Sequence, residues 1–150
     1  MRKEAIDNAF SFGDEILVEE FIRGRELTVA VYGNEDEAQA LPVIEITTTT
    51  GRYDYRSKYT KGLSTHIVPA QIPDEVTDAV QSLAVAAFKV CKCAGVARVD
   101  IMLSEDNVPY VIEVNSVPGM TETSLVPDAA RAAGMDFPAL CEKILALADF

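Results

Sequence analysis

The feature that most constrains this chain is a pair of apolar runs with two-residue alternation, "VARVDIML" (Val96 to Leu103) and "VPYVIEV" (Val108 to Val114), joined by the four residues "SEDN". A period of two marks a strand that buries one face, and a short polar turn between two such runs makes them an antiparallel hairpin. On the first run Val99, Ile101 and Leu103 take one side, which leaves Arg98 and Asp100 on the other. On the second, Tyr110, Ile112 and Val114 oppose Val111, Glu113 and Asn115. Turning both apolar sides to a core gathers Arg98, Asp100, Glu113 and Asn115 on the opposite face, within reach of one another across the ladder.

Two carboxylates side by side repel unless a cation lies between them. With a carboxamide oxygen they form a hard-oxygen ligand set of the kind Mg²⁺ takes while sharing phosphates of a bound substrate. The bland alternative is a solvated strand face with an Arg98–Asp100 surface pair, worth at most about 1 kcal/mol. The surroundings weigh against it: apolar residues crowd both strands, and Asn115 runs into "SVPGMTETS", a Gly- and Thr-bearing loop whose backbone N–H groups can receive an anion. Neither strand nor loop offers an obvious protein nucleophile.

The rest of the chain supplies the frame. "EILVEEF" (Glu15 to Phe21), "LTVAVYG" (Leu27 to Gly33) and "LPVIEI" (Leu41 to Ile46) read as strands of an antiparallel meander. "PDEVTDAVQSLAVAAFKVCKCAG" opens on Pro73, closes on Gly95 and carries the stripe Val76, Val80, Leu83, Ala84 and Phe88, the spacing of an amphipathic helix. Two more helices, "SLVPDAARAAG" and "FPALCEKILALA", end the chain. These elements predict an α+β fold, a mostly antiparallel sheet with helices packed on one side, as one domain over residues 1–150. Between Thr47 and Gln71 periodicity disappears. There Arg52, Arg56, Lys58 and Lys61 alternate with Tyr53, Tyr55 and Tyr59, with only Asp54 to offset them, which suits a basic lid over a phosphate-bearing ligand. The opening helix, "MRKEAIDNAF", begins with no capping residue, as though the chain were entered partway through a larger fold.

Composition sets limits. With 24 acidic against 13 basic residues and a net charge of −11, the surface disfavours nucleic acid or an anionic membrane as main partner, so a phosphate site has to be local. No run of about 18 apolar residues is present, and a cytoplasmic protein is expected. Cys91, Cys93 and Cys141 show neither metal-binding spacing nor an even disulfide set and read as buried reduced thiols.

Taken in order, "VEEFIRGRELTVAV", "YDYRSKYTKG", "VARVDIML" and "YVIEVNSVPGMTETSLVP" resemble the D-alanine–D-alanine ligases of the ATP-grasp superfamily. The similarity runs from about Phe12 to the C-terminus and corresponds to an ATP-grasp C-terminal domain. It implies ATP and two Mg²⁺ ions, with Mn²⁺ a workable substitute. Glu19 and the backbone of Glu20 and Ile22 would meet adenine, and Glu26 the ribose. Asp100, Glu113 and Asn115 would be metal ligands, with Glu113 shared between the ions. Arg98 and the Gly119 N–H would stabilise an oxyanion, and Ser124 with the Leu125 N–H would take the carboxylate of the second D-alanine. Lys58 would approach the transferred phosphoryl group, and Tyr59 would cover the amino-acid site. His66, the only histidine, lies where family members vary and is assigned no catalytic part.

The resemblance also implies what is missing. Complete ligases of this kind are about twice as long, and their N-terminal substrate domain and part of the central domain, with its ATP-binding lysines and phosphate loop, have no counterpart here. The expectation is a fragment that keeps the metal face but lacks catalysis alone, with a separately encoded N-terminal half as one route to activity. The competing readings are a D-alanine–D-lactate or D-alanine–D-serine ligase, another ATP-grasp carboxylate–amine ligase, and a non-catalytic nucleotide- or metal-binding fragment. Tyr59, where lactate-type loops tend to carry Phe, favours D-alanine as second substrate.

Overall fold

A computed structural model describes residues 2–34, 36–48 and 64–148. Helix α1 (Arg2–Phe10) is followed by strands β1 (Gly24–Gly33), β2 (Gln39–Ala40), β3 (Ile44–Thr48) and β4 (Ser64–Ile67). Then come helix α2 (Asp74–Val90), strands β5 (Gly95–Ser104) and β6 (Pro109–Asn115), and helices α3 (Leu125–Ala132) and α4 (Phe137–Ala146). All the pairings are antiparallel, in the order β4-β3-β1-β5-β6, with β2 joined to β1. The α+β class and the antiparallel sheet expected from the alternation are what form.

β1 organises the sheet because both of its side-chain rows are apolar enough to need cover. Leu27, Val29 and Val31 join Val99, Ile101 and Leu103 of β5 beneath the α2 stripe of Val76, Val80, Ala84 and Phe88. The intervening Ala30 and Tyr32 turn the other way, with Ile44 and Ile46, toward Leu125, Val126, Ala129 and Ala130 of α3 and Leu140 of α4. The helices are thus divided between the two faces instead of gathered on one, and the physical reason is that second apolar row. Burial of each large side chain here contributes about 1.5–3 kcal/mol.

Local chemistry fixes the element ends. Pro73 precedes α2, and the Asp136 carboxylate accepts from the N–H of Ala139 at 2.9 Å to cap α4. At the start of β1 a side chain on Gly24 would collide with the backbone carbonyl of Leu103, so only glycine lets β1 lie this close to β5. Arg25 grips Glu45 through Nε (2.7 Å) and Nη2 (2.6 Å) and also donates to the Gln71 carbonyl (2.9 Å), tying β1, β3 and the approach to α2 together.

Three further expectations need correction. Glu15 to Phe21 forms no strand among the described residues: Leu17, Val18 and Phe21 are 83%, 72% and 78% exposed, since strand-forming residues without an edge to pair with gain nothing by extending. Conversely, β4 lies inside the stretch read as a loop; its "STHI" lacks an apolar alternation, and it is held by pairing with β3, Ile46 opposite His66. The thiols are free, but none is fully buried: Cys91 is exposed, Cys141 half-buried, and Cys93 half-buried against the edge of the α2 core. Among the described residues no helix is long and apolar enough to cross a membrane.

Phe88→Ala, at a fully buried site, should cost about 3–5 kcal/mol in chemical denaturation. Phe12→Ser, at a site 86% exposed, should change stability by no more than about 0.5 kcal/mol.

Candidate active site

The face of the sheet beyond the α3 contacts carries the polar residues. Reading across β1, β5 and β6, Thr28 lies opposite Asp100 and Asp100 opposite Glu113. In the neighbouring row Ala30 lies opposite Arg98 and Arg98 opposite Asn115. Directly opposed residues share a face, so Arg98, Asp100, Glu113 and Asn115 come together as the alternation predicted. Glu26 joins them on the same face of β1, two residues before Thr28, opposite Met102 and Ile46.

The alternation in β6 is not continuous. The ladder slips between Asp100 and Ile101, where Glu113 pairs with Asp100 but Val111 pairs with Ile101, leaving Ile112 as the extra residue of a bulge. Tyr110, expected opposite to Glu113, therefore pairs with Met102 and shares the polar face. The bulge spares Glu113 and Asn115 themselves.

Asp100 is the centre of the cluster. Its Oδ1 accepts from the Thr28 hydroxyl at 2.6 Å and from Arg98 Nε at 2.8 Å, and its Oδ2 accepts from Arg98 Nη2 at 2.7 Å and Asn115 Nδ2 at 3.2 Å. Asn115 Nδ2 also donates to Glu113 Oε1 at 3.1 Å, so a single amide spans both carboxylates. Burial pushes the Asp100 carboxyl up, but the forked Arg98 guanidinium, helped by the hydroxyl of Thr28, outweighs it and holds the group below the usual carboxylate range. The oxygens of Asp100 and Glu113 are hard donors of the kind a divalent cation takes while keeping other positions for water or phosphate, and the Asn115 amide turns its nitrogen toward both carboxylates. Among the described residues no group of three His, Cys, Asp or Glu side chains is gathered as a metal cluster.

The loop after β6 packs Met120 against the second core, and its Pro118 is buried. Ser124 Oγ turns back into the loop: it accepts from the Thr121 N–H at 3.0 Å and lies 2.8 Å from Thr121 Oγ1. A side chain on Gly119 would come within 2.9 Å of that Ser124 oxygen. Gly119, Ser124 and Leu125 are thus brought together at the start of α3. There the backbone N–H groups of Leu125 and Val126 begin the helix and Pro127 has none to give.

Other expected residues are less gathered. Glu19 and Glu20 are exposed and Ile22 half-buried on the irregular segment before β1. Lys58 and Tyr59, with the rest of the basic stretch between Gly51 and Gly62, lie outside the described residues. Two features escaped sequence reasoning. One is Thr28, whose only signal was a hydroxyl residue in the row of β1 that also holds Glu26. The other is a link across the sheet edge: His66 Nδ1 lies 3.0 Å from Asp128 Oδ2, and Arg131 Nη1 donates to Asp128 Oδ1 at 2.8 Å, clasping β4 to the first turns of α3.

The family model described as D-ala D-ala ligase C-terminus matches residues 2–146. The chain belongs to this family. D-alanine–D-alanine ligases from Moorella thermoacetica and Pelotomaculum thermopropionicum are 53% and 51% identical to it over 144 residues, 96% of the chain but 46% and 45% of those proteins. Among solved structures, the D-alanine–D-alanine ligase of Bacillus anthracis complexed with ATP superposes with a TM-score of 0.77 at 30% identity, over 97% of this chain and 45% of that one. The VanG D-Ala:D-Ser ligase of Enterococcus faecalis gives 0.80 at 34% identity, over 97% of this chain and 42% of its own. The chain therefore spans less than half the length of each of these relatives.

Because Asp100 is held below the ordinary carboxylate value of about 3.9, the stability it contributes is fully present above that value and is lost as pH falls through the depressed folded value. Asp100→Asn should lower the melting temperature most at neutral pH, with the gap to the unaltered protein closing below about pH 4. A gap that stays constant through that range would mean the Arg98–Asp100 pair is not its source.

Proposed function

We propose that this chain provides the metal- and phosphate-facing part of an ATP-dependent D-alanine–D-alanine ligase that makes the dipeptide for peptidoglycan precursors in the cytoplasm. The observation that carries the reading is the row Thr28–Asp100–Glu113 with the Asn115 amide bridging both carboxylates. Family membership over residues 2–146 supports it.

A carboxylate is a poor electrophile, so the first D-alanine reacts as an acyl phosphate formed at the expense of the γ-phosphate of ATP, with release of ADP. Such transfer depends mainly on positioning and charge neutralisation. Asp100, Glu113 and Asn115 would hold Mg²⁺, which when bound draws charge from the phosphate oxygens. Glu19 and the backbone of Glu20 and Ile22 would orient the adenine, Glu26 the ribose, and Lys58 the transferred group. The amine of the second D-alanine then attacks the acyl carbon, and phosphate leaves. Arg98 and the Gly119 N–H would donate to the oxyanion of the tetrahedral intermediate, while Ser124 and the Leu125 N–H would anchor the second carboxylate and Tyr59 would cover it. No protein nucleophile is needed, because the substrate amine is the nucleophile.

The exposed apolar side chains of Phe12, Leu17, Val18 and Phe21 favour a second element in the proposal. The chain works together with the substrate and phosphate-loop portion that its longer relatives carry, supplied by a separate polypeptide or a longer form of the protein. By itself it is then a nucleotide- or metal-binding unit.

Calorimetry with Mg²⁺–ATP tests the site: Glu113→Gln should weaken binding at least tenfold, and equal affinity would overturn the metal assignment. In a coupled assay with D-alanine, the chain alone should release no ADP above background. Turnover like that of an intact ligase would overturn the requirement for a second portion.

A further inference from the structure

We propose that Thr28 is a positioning residue that sets the orientation of the Asp100 carboxylate for metal binding. The inference rests on the reading of Asp100 as a metal ligand and adds to it a residue on a different strand.

Thr28 is 1% exposed in the middle of β1, one of just two polar or charged residues buried among those described. A buried hydroxyl with no use for its proton would cost stability, and two acceptors lie within reach: Asp100 Oδ1 at 2.6 Å and the Val99 carbonyl at 3.3 Å. A hydroxyl has one proton to give, and the short contact to a charged oxygen takes it. The strand that carries Thr28 cannot drift, since β1 pairs with β5 through ten consecutive positions on one side and with β3 on the other.

The geometry gives that bond a directional effect. Thr28 reaches Asp100 from the β1 side, whereas Glu113 and Asn115 lie on the β6 side. Holding Oδ1 toward β1 leaves Oδ2 toward Asn115, where the second carboxylate is within the span of one amide. Without the hydroxyl nothing on the β1 side would hold the carboxylate: Oδ1 would keep only Arg98 Nε, from its own strand, while Oδ2 would keep Arg98 Nη2 and the longer contact from Asn115 Nδ2. The group's rotation would then be set without the short opposing bond from Thr28. Outer partners of this kind commonly govern metal affinity by about 10–100-fold.

The test uses Mn²⁺ as the probe, followed by electron paramagnetic resonance of the free ion with and without ATP, on the unaltered chain and on Thr28→Val, Thr28→Ala, Thr28→Ser and Glu113→Gln. Valine keeps the shape and strand preference of threonine and removes the donor. Thr28→Val and Thr28→Ala should weaken Mn²⁺ binding about 10–100-fold, and Thr28→Ser should restore it to within a few-fold. Val80→Ala, a cavity on the opposite face of the sheet, controls for lost stability and should leave Mn²⁺ affinity unchanged although its melting temperature falls. Unchanged affinity in Thr28→Val, with Glu113→Gln impaired, would overturn the role of Thr28 and keep the metal reading. Equal binding by the unaltered chain and Glu113→Gln, or none by either, would overturn both.

Discussion

The structure depends on the ladder between β1 and β5. Ten consecutive pairs, from Gly24–Ser104 to Gly33–Gly95, lock the two central strands in one register. A slip of one residue would exchange the two rows of every strand. The α2 core would then receive Arg98 and Asp100 in place of Val99 and Ile101, and burying unpaired charges costs far more than the apolar contacts return. Hydrophobic register and polar-site geometry are therefore one constraint: what seats Val99 beneath α2 is also what sets Asp100 between Thr28 and Glu113.

The polar face shows which protein groups answer the charges of the cluster. Two carboxylates would repel, but the guanidinium of Arg98 and the amide of Asn115 lie against them, and every oxygen of Asp100 is answered by a donor. No buried side-chain nitrogen or oxygen among the described residues lacks a partner. The hydrogen bonds around Asp100 form a connected network through Thr28, Arg98, Asn115 and Glu113. Its donors are the groups that a bound cation and phosphates would compete with or recruit, which links the geometry of this face to the chemistry proposed for it.

Much of this was legible in the residues. The period of two in β5 gave both its faces, and the i, i+4 stripe of α2 named the residues that reach the core. What was hidden has a common cause: alternation reports which side a residue faces, not which residue it meets. Thr28 could be given a side but no partner. The bulge at Ile112 was invisible because Val111 and Ile112 are both apolar, so either phase fits the pattern. β4 was missed because an edge strand held by backbone pairing requires no apolar row. "EILVEEF" misled in the other direction, since strand propensity acts only where an edge is available to pair with. The basic stretch that suggested a lid, with Lys58 and Tyr59, lies outside the described residues.

The extra residue in β6 has one more effect. Between the exposed turn after β5 and the side chains of Glu113 and Asn115, Ile112 is held out of step with its neighbours. By reversing the phase of β6 it brings Tyr110 and Glu113, three positions apart, out on one face, so that an aromatic ring that strict alternation would have turned toward the core borders the acidic row instead.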